Sequence, residues 1–265
     1  MMDFSDVYMI IPFKGSPMRN DNIVKVIDFV SKNLNGIKIF VAEQDIESKI
    51  SLTQFTNVTH FFIPIVDGEL FDRTGVINCL IKKCPTNSIV INNDCDCVVS
   101  SDAYKKAIDL LRKTHDYIVP YSGKGYNVSN DYLFNRKLHK NEQRPRWKCT
   151  TGGVVMFRQY VYKQIGFENE NIISWGYEDF ERFFRVTKVL NPSRVISPIA
   201  GGSANNDRTR YFNANSVFKN DLYHYDHNAE RDENSSLNPH KGKNKHIAMK
   251  VKAMNKEQLF IYIIK

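Results

Sequence analysis

The sequence predicts an α/β fold with a central, mostly parallel sheet flanked by helices. Short apolar runs alternate with segments whose apolar residues recur at helical spacing, and this alternation holds over the first 120 residues. At 265 residues the chain can bury a full core, and its 42% hydrophobic and 25% charged residues are ordinary for a globular protein. No repeat or convincing linker divides it, so residues 1–265 read as a single domain.

The elements follow in order. Residues 6–12, "DVYMIIP", form a buried strand stopped by Pro12. "NIVKVIDFVSKNL" is a helix over 22–34, ending before the Asn35-Gly36 cap signal. "IKIFVA" is a second strand, and "THFFIPI" a third whose pairing Pro64 limits. "RTGVINCLIKKC" reads as a helix, "SIVINN" as a strand, and "SDAYKKAIDLLRKT" as a helix capped by Ser101 or Asp102. "DYIVPY" is the next strand. Residues 121–150 are polar, aromatic and rich in Gly and Asn, the composition of a long surface excursion. Strand-like "GGVVMF" and helix-like "RQYVYKQI" follow, then the acidic helix start "SWGYEDFER". Residues 200–220 and 228–246 are rich in Gly, Asn, Ser and Lys and read as mobile.

The charge narrows the partners. With 37 basic and 29 acidic residues the net charge is +8, which suits a polyanionic partner, an anionic surface or a phosphorylated small molecule. The basic residues are scattered apart from "HKGKNKH", so a nucleic-acid stripe is not supported. There is no apolar run long enough for a membrane span and no signal-peptide core. Cys79, Cys84, Cys95, Cys97 and Cys149 are odd in number and unevenly spaced, against a disulfide framework and in favour of a reducing cytoplasm. "CDC" lacks further ligands at zinc spacing.

In parallel sheets, ligands gather at the carboxyl ends of the strands. "SIVINN" runs straight into "DCDC", which puts Asp94 and Asp96 there. Two carboxylates so close repel each other unless a cation sits beside them, and hard oxygen ligands suit Mg²⁺ or Mn²⁺. The same pair also fits a turn with two solvated aspartates. "LYHYDHN" adds His224, Asp226 and His227, which read as metal donors or as a polar surface segment. The acidic cluster of "SWGYEDFER" admits two readings as well: a first turn facing the positive end of a helix dipole, or chemistry.

Seven segments, in the same order, resemble the β-1,4-galactosyltransferase family of inverting GT-A glycosyltransferases. They are "IIPFKGS", "FVAEQ", "FDRTGVINCL", "NNDCDC", "TTGGVVMFRQYVYKQIGFEN", "SWGYEDFERFFR" and "HYDHN", spanning roughly residues 8–240. The resemblance implies a GT-A nucleotide-sugar fold, with a nucleotide-binding half over 1–120 and an acceptor and catalytic half over 121–265. It implies a UDP-sugar donor, a saccharide, glycolipid or glycoprotein acceptor, and a Mn²⁺ or Mg²⁺ cofactor. Pro12, Phe13, Lys14, Gln44, Phe71, Arg73, Asp94 and Gly153 would then line the donor site, with Lys14 where the family often has Arg. Asp96 would hold the metal with His224 and His227, which fall on the family's Met-x-x-His pair. Asp179 would be the general base and Glu178 a hydroxyl binder, while Trp175, Gly176, Tyr177 and Thr150 would contact the sugars.

Galactose-transferring members carry a bulky aromatic two residues before the Gly-Gly pair, where Thr150 stands here. The smaller side chain leaves room for an N-acetyl group and implies a UDP-N-acetylhexosamine. By the same resemblance, a lid over about 228–246 closes on the donor; its composition also fits a loop with no such role. A cytoplasmic location is expected, with the positive charge serving either attachment at a membrane surface or steering of nucleotide sugars. A nucleotidyltransferase would account for Asp94 and Asp96 but leave Trp175–Asp179 without a role. A non-catalytic carbohydrate-binding module would not need a carboxylate facing a metal.

Overall fold

The computed structural model describes residues 2–128, 145–147, 150–198, 217–225 and 238–264. Its centre is a seven-stranded sheet built from β1 (Val7–Phe13), β2 (Lys38–Asp45), β3 (Val58–Pro64), β4 (Ile89–Asn93), β6 (Tyr117–Ile118), β8 (Val154–Arg158) and β9 (Val195–Ile196). The order is β3-β2-β1-β4-β8-β6-β9, and all strands run parallel except β8, which is antiparallel to both its neighbours. β1 and β4 are buried along their whole length, as strands covered on both faces must be. Helix α1 (Pro17–Asn33), α2 (Arg73–Lys83), α3 (Ser101–Lys113) and α4 (Gln159–Gln164) connect them, with α2 packed on β1 and β2 and α3 on β4, β6 and β8. The α/β class with a mostly parallel sheet is therefore as the sequence predicts.

Several boundaries differ from expectation, each for a local reason. Pro12 does not stop β1, because pairing with β4 ends at Ile10–Asn92 while pairing with β2 continues to Phe13–Glu43. Pro12 thus sits where the strand has a neighbour on one side only, a position that tolerates a missing N–H. Helix α1 starts at Pro17 rather than at Asn22: the Ser16 side chain accepts from the Arg19 N–H, and Pro17 presets the first helical residue. The cap of α3 is Ser100, which accepts from the Ala103 N–H at 3.3 Å, not Ser101 or Asp102. Within the expected excursion, Gly125–Val128 forms β7, which joins β5 (Cys97–Val98) and β10 (Leu222–Tyr225) in a small second sheet of order β5-β10-β7.

Helix α5 (Glu178–Val189) is followed at a distance by α6 (Lys241–Ala253) and α7 (Lys256–Ile264), neither of which the sequence reading anticipated. Residues 241–246, expected within the lid, form the first turns of α6; residues 228–237 lie outside the described residues. α6 packs on α5, burying Asn244, Ala248 and Val251 at one face. Lys188 from α5 donates from Nζ to the carbonyls of Val251, Lys252 and Met254 at 2.6, 2.7 and 2.6 Å, closing the C-terminus of α6 with a cation. Among the described residues no disulfide forms, and no helix is long and apolar enough to cross a membrane.

Replacing Lys188 by Met removes the cation that satisfies three carbonyls at the end of α6. We expect a loss of about 1–3 kcal/mol in urea unfolding and faster amide exchange confined to α6 and α7.

Candidate active site

The carboxyl end of β4 delivers Asp94, whose backbone N–H donates to the Gly153 carbonyl at 2.8 Å and ties β4 to the start of β8. Helix α2 begins beside it. Asp72 caps that helix by accepting from Gly75 N–H at 3.0 Å, and its own N–H donates to Gln44 Oε1 at 2.6 Å at the end of β2. The first helical residue, Arg73, is aimed across the strand ends and pairs through Nη2 with Asp94. Its Nε lies 3.2 Å from Glu178 Oε1, an ion pair whose angle is not that of a hydrogen bond. Gln44, Arg73, Asp94 and Gly153 therefore converge, with Phe71 half-buried against the core just before the cap. Pro12 and Phe13 are buried at the end of β1, and Lys14 follows them at partial exposure.

The "SWGYED" segment forms the opposite wall. Ser174 (φ 62°), Gly176 (φ 99°) and Tyr177 (φ 71°) all have left-handed backbone, and two of the three pay the Cβ penalty. Two asparagines hold this turn in place. Asn244 accepts from the Ile173 N–H at 3.1 Å and donates to the Ile173 carbonyl at 2.9 Å, while Asn238 donates to the Trp175 carbonyl. Both are buried, and both lie within the stretch expected to be a lid. Trp175 and Tyr177 remain partly exposed, with the Lys241 ammonium 5.9 Å from the Trp175 ring centre. Thr150 is also partly exposed, and its Oγ1 accepts from the Gly152 N–H at 3.2 Å.

The turn aims two adjacent carboxylates inward. Glu178 Oε2 accepts from the Gly176 N–H at 2.6 Å and its side chain is only 8% exposed, whereas that of Asp179 is 26% exposed. Burial, and then the neighbouring Asp179 charge, push the Glu178 carboxyl up to about 7 against the pull of Arg73. Burial likewise raises Asp179, opposed by Arg182 and Arg73. A Cβ added at Gly152 would stand 2.0 Å from Asp179 Oδ2, so only glycine there lets the carboxylate settle against the β8 approach.

A second group lies on the small sheet. Asp96, Cys97 and His224 are buried together, with one donor atom of each within 4.8 Å of the others. His224 Nε2 stands 3.6 Å from Asp96 Oδ2, and its Nδ1 meets Asn127 Oδ1 at 3.1 Å. An imidazole held through one nitrogen while the other faces a carboxylate is the arrangement of a metal-ligating histidine, and oxygen with nitrogen suits Mn²⁺ or Mg²⁺. Cys97 Sγ is 3.4 Å from Asp96 Oδ1 and adds a softer donor. The residues present therefore fit a divalent cation. His227 and Asp226 lie outside the described residues, so only Asp96 and His224 of the expected set are placed.

The sequence reading missed the residues that make the carboxylate pair tolerable. Arg182 is buried between Asp179 and Glu168, 2.5 Å from an oxygen of each. Burial alone would raise Glu168, but Arg182 and Arg185, with the Tyr162 hydroxyl donating at 2.6 Å, hold it below the usual carboxylate range. Arg185 in turn pairs with buried Glu181 at 2.7 Å. The spacing was visible: Asp179–Arg182 is i,i+3 and Glu181–Arg185 is i,i+4, both pairs on one side of α5.

No protein-family model matches the chain, and no curated protein matches it in sequence. Solved structures do resemble it. The catalytic domain of Drosophila β1,4-galactosyltransferase 7, in complex with xylobiose, superposes with a TM-score of 0.50 at 15% identity over 95% of this chain and 82% of that one. TarS of S. aureus gives 0.53 at 12% identity over 99% and 43%, and GalNAc-T7 with UDP, GalNAc and Mn²⁺ gives 0.52 at 12% over 83% and 44%. The chain thus spans less than half the length of the last two. It has the GT-A fold of these glycosyltransferases. At such identities the likeness is one of fold.

Arg182→Met leaves Glu168 buried without its main counter-charge, and we expect a loss of about 3–5 kcal/mol in thermal or urea unfolding. Glu178, raised to about 7 in the fold from 4.5, binds more protons folded than unfolded between those values, so stability falls as pH rises through that window. The melting temperature of the parent should decline from pH 4.5 to 7, by up to about 3 kcal/mol in stability. Glu178→Gln should flatten that part of the curve.

Proposed function

We propose that this protein is a divalent-metal-dependent glycosyltransferase that moves a sugar from a UDP-sugar to a hydroxyl of a saccharide, glycolipid or glycoprotein, with inversion at the anomeric carbon. One observation carries the reading. At the carboxyl end of β4, Arg73 links Asp94 to the Glu178–Asp179 pair, and Asp96, two residues on, forms a cation-fitting pair with His224 of the small sheet. Neighbours of the same fold in complex with xylobiose, and with UDP, GalNAc and Mn²⁺, support a saccharide acceptor, a nucleotide-sugar donor and a divalent cation.

Asp179 is the base in this reading. It is the more exposed of the two carboxylates, so an acceptor hydroxyl can reach it, and burial strengthens its hold on a proton once transferred. Arg182 favours the ionised form that must precede the transfer. Glu178, anchored by Gly176 N–H and Arg73, orients hydroxyls instead of accepting the proton. The partly exposed Trp175 ring offers an apolar face for a sugar. A cation held by Asp96 and His224, with His227 as the expected third ligand, would neutralise the charge growing on the departing diphosphate. Gln44, Phe71, Arg73, Asp94 and Gly153, with Pro12, Phe13 and Lys14 behind them, form the donor side. Thr150, small and partly exposed ahead of Gly152, supports an N-acetylhexosamine as the sugar.

The test is release of UDP with Mn²⁺ from a panel of UDP-sugars, with mixed saccharide acceptors. Asp179→Asn should lower kcat by about 10²–10⁴-fold and leave calorimetric UDP binding intact. Asp96→Ala should abolish the Mn²⁺ dependence of that binding. Turnover of unsubstituted hexoses alone would refute the N-acetyl assignment, and absence of both release and Mn²⁺-linked UDP binding would refute the function.

A further inference from the structure

We propose that α6 and α7 form a docking surface for an anionic lipid bilayer. Residues 238–264 hold six lysines and one acidic residue, Glu257, a net +5 within a chain of net +8. Lys243, Lys250 and Lys256 are all exposed. On α7 only Leu259 is buried, while Phe260, Ile261 and Ile264 are 57%, 60% and 71% exposed. At the helical angle per residue these three fall within an arc of roughly 100°, an apolar face that carries one carboxylate, Glu257, in its first turn. Met249 of α6 is exposed as well, so four of the nine large apolar side chains exposed among the described residues lie in these two helices.

The combination selects the partner. Apolar side chains beside a surplus of lysines are what an interfacial helix needs: the first enter the acyl boundary, the second meet anionic headgroups. A second copy of the chain is disfavoured, since a two-fold contact through this face would bring like-charged lysines together. A nucleic acid would use the charge and leave the aliphatic residues exposed.

The surface is coupled to the site through one rigid element. α6 starts where Lys241 faces Trp175 and Asn244 holds the Ile173–Trp175 turn, and its 13 residues run about 20 Å to its far end. Docking through α6 and α7 would therefore fix the orientation of the Trp175–Asp179 wall toward the membrane. The docking stands by itself; its use, presenting a lipid-carried hydroxyl to that wall, rests on the function proposed above.

Flotation of the full chain with vesicles tests it, comparing phosphatidylcholine alone with phosphatidylcholine and phosphatidylglycerol at about 7:3, at low and high salt. The parent should float only with the anionic vesicles and release progressively with salt. Lys243→Gln/Lys250→Gln/Lys256→Gln should weaken partitioning roughly 100-fold. Phe260→Ser/Ile261→Ser/Ile264→Ser should abolish it with an unchanged circular dichroism spectrum. Should the apolar variant misfold, the lysine variant still decides. Binding unaffected by the lysine changes, no binding at all, or a parent dimer in light scattering that the serine variant dissociates would overturn the proposal. Flotation with neither UDP release nor Mn²⁺-linked UDP binding would remove the proposed function and keep the docking; UDP release without flotation would do the reverse.

Discussion

Two adjacent carboxylates, one buried and one partly so, can be held at one helix start only if cations are brought to them, and this constraint organises the structure. Arg73 comes from α2, some hundred positions earlier in the chain, and Arg182 from the next turn of α5. Arg182 is fully buried and Arg73 largely so, and each touches a second acid, Asp94 or Glu168, so the charges form a chain through the molecule. Removing any member strands its neighbour in a low-dielectric setting, where an unpaired charge costs far more than the pair contributes.

The strained turn that aims the pair is held by a similar logic. Ser174 and Tyr177 adopt backbone that a side chain disfavours, and the structure retains it because buried Asn238 and Asn244 satisfy the Ile173 and Trp175 backbone. Those asparagines belong to a stretch whose Gly, Asn and Lys content suggests mobility. Composition alone does not distinguish an asparagine in a solvated loop from one that serves as a buried clamp.

The central sheet was legible because most of its strands carry a short continuous apolar run and are separated by helical spacing. β1, β2, β4 and β8 were each located to within a few residues, and Asp94 with Glu178–Asp179 was placed at strand and helix ends. What escaped was set by distant partners. Pro12 reads as a stop until β1 is seen to lose its β4 neighbour there. The N-terminal part of α6 is too polar to show a face, and its register is set by α5 and the Lys188 cap. The Arg182–Glu168 contact joins residues 14 apart and has no local signal at Glu168. The Asp96–His224 pair was anticipated, whereas Asn127, which holds the imidazole, lies on β7, in a segment read as irregular.

The reversed direction of β8 has a consequence for how such a protein can change. Because β8 runs against its neighbours, its beginning, at Gly152 and Gly153, meets the carboxyl ends of the other strands. Residues 150–153 therefore enter β8 at the Asp94 end of the sheet, without crossing it. Sequence changes ahead of Gly152 can therefore leave the strand order and the buried Arg182–Glu168 pair as they are, because neither is built from that approach.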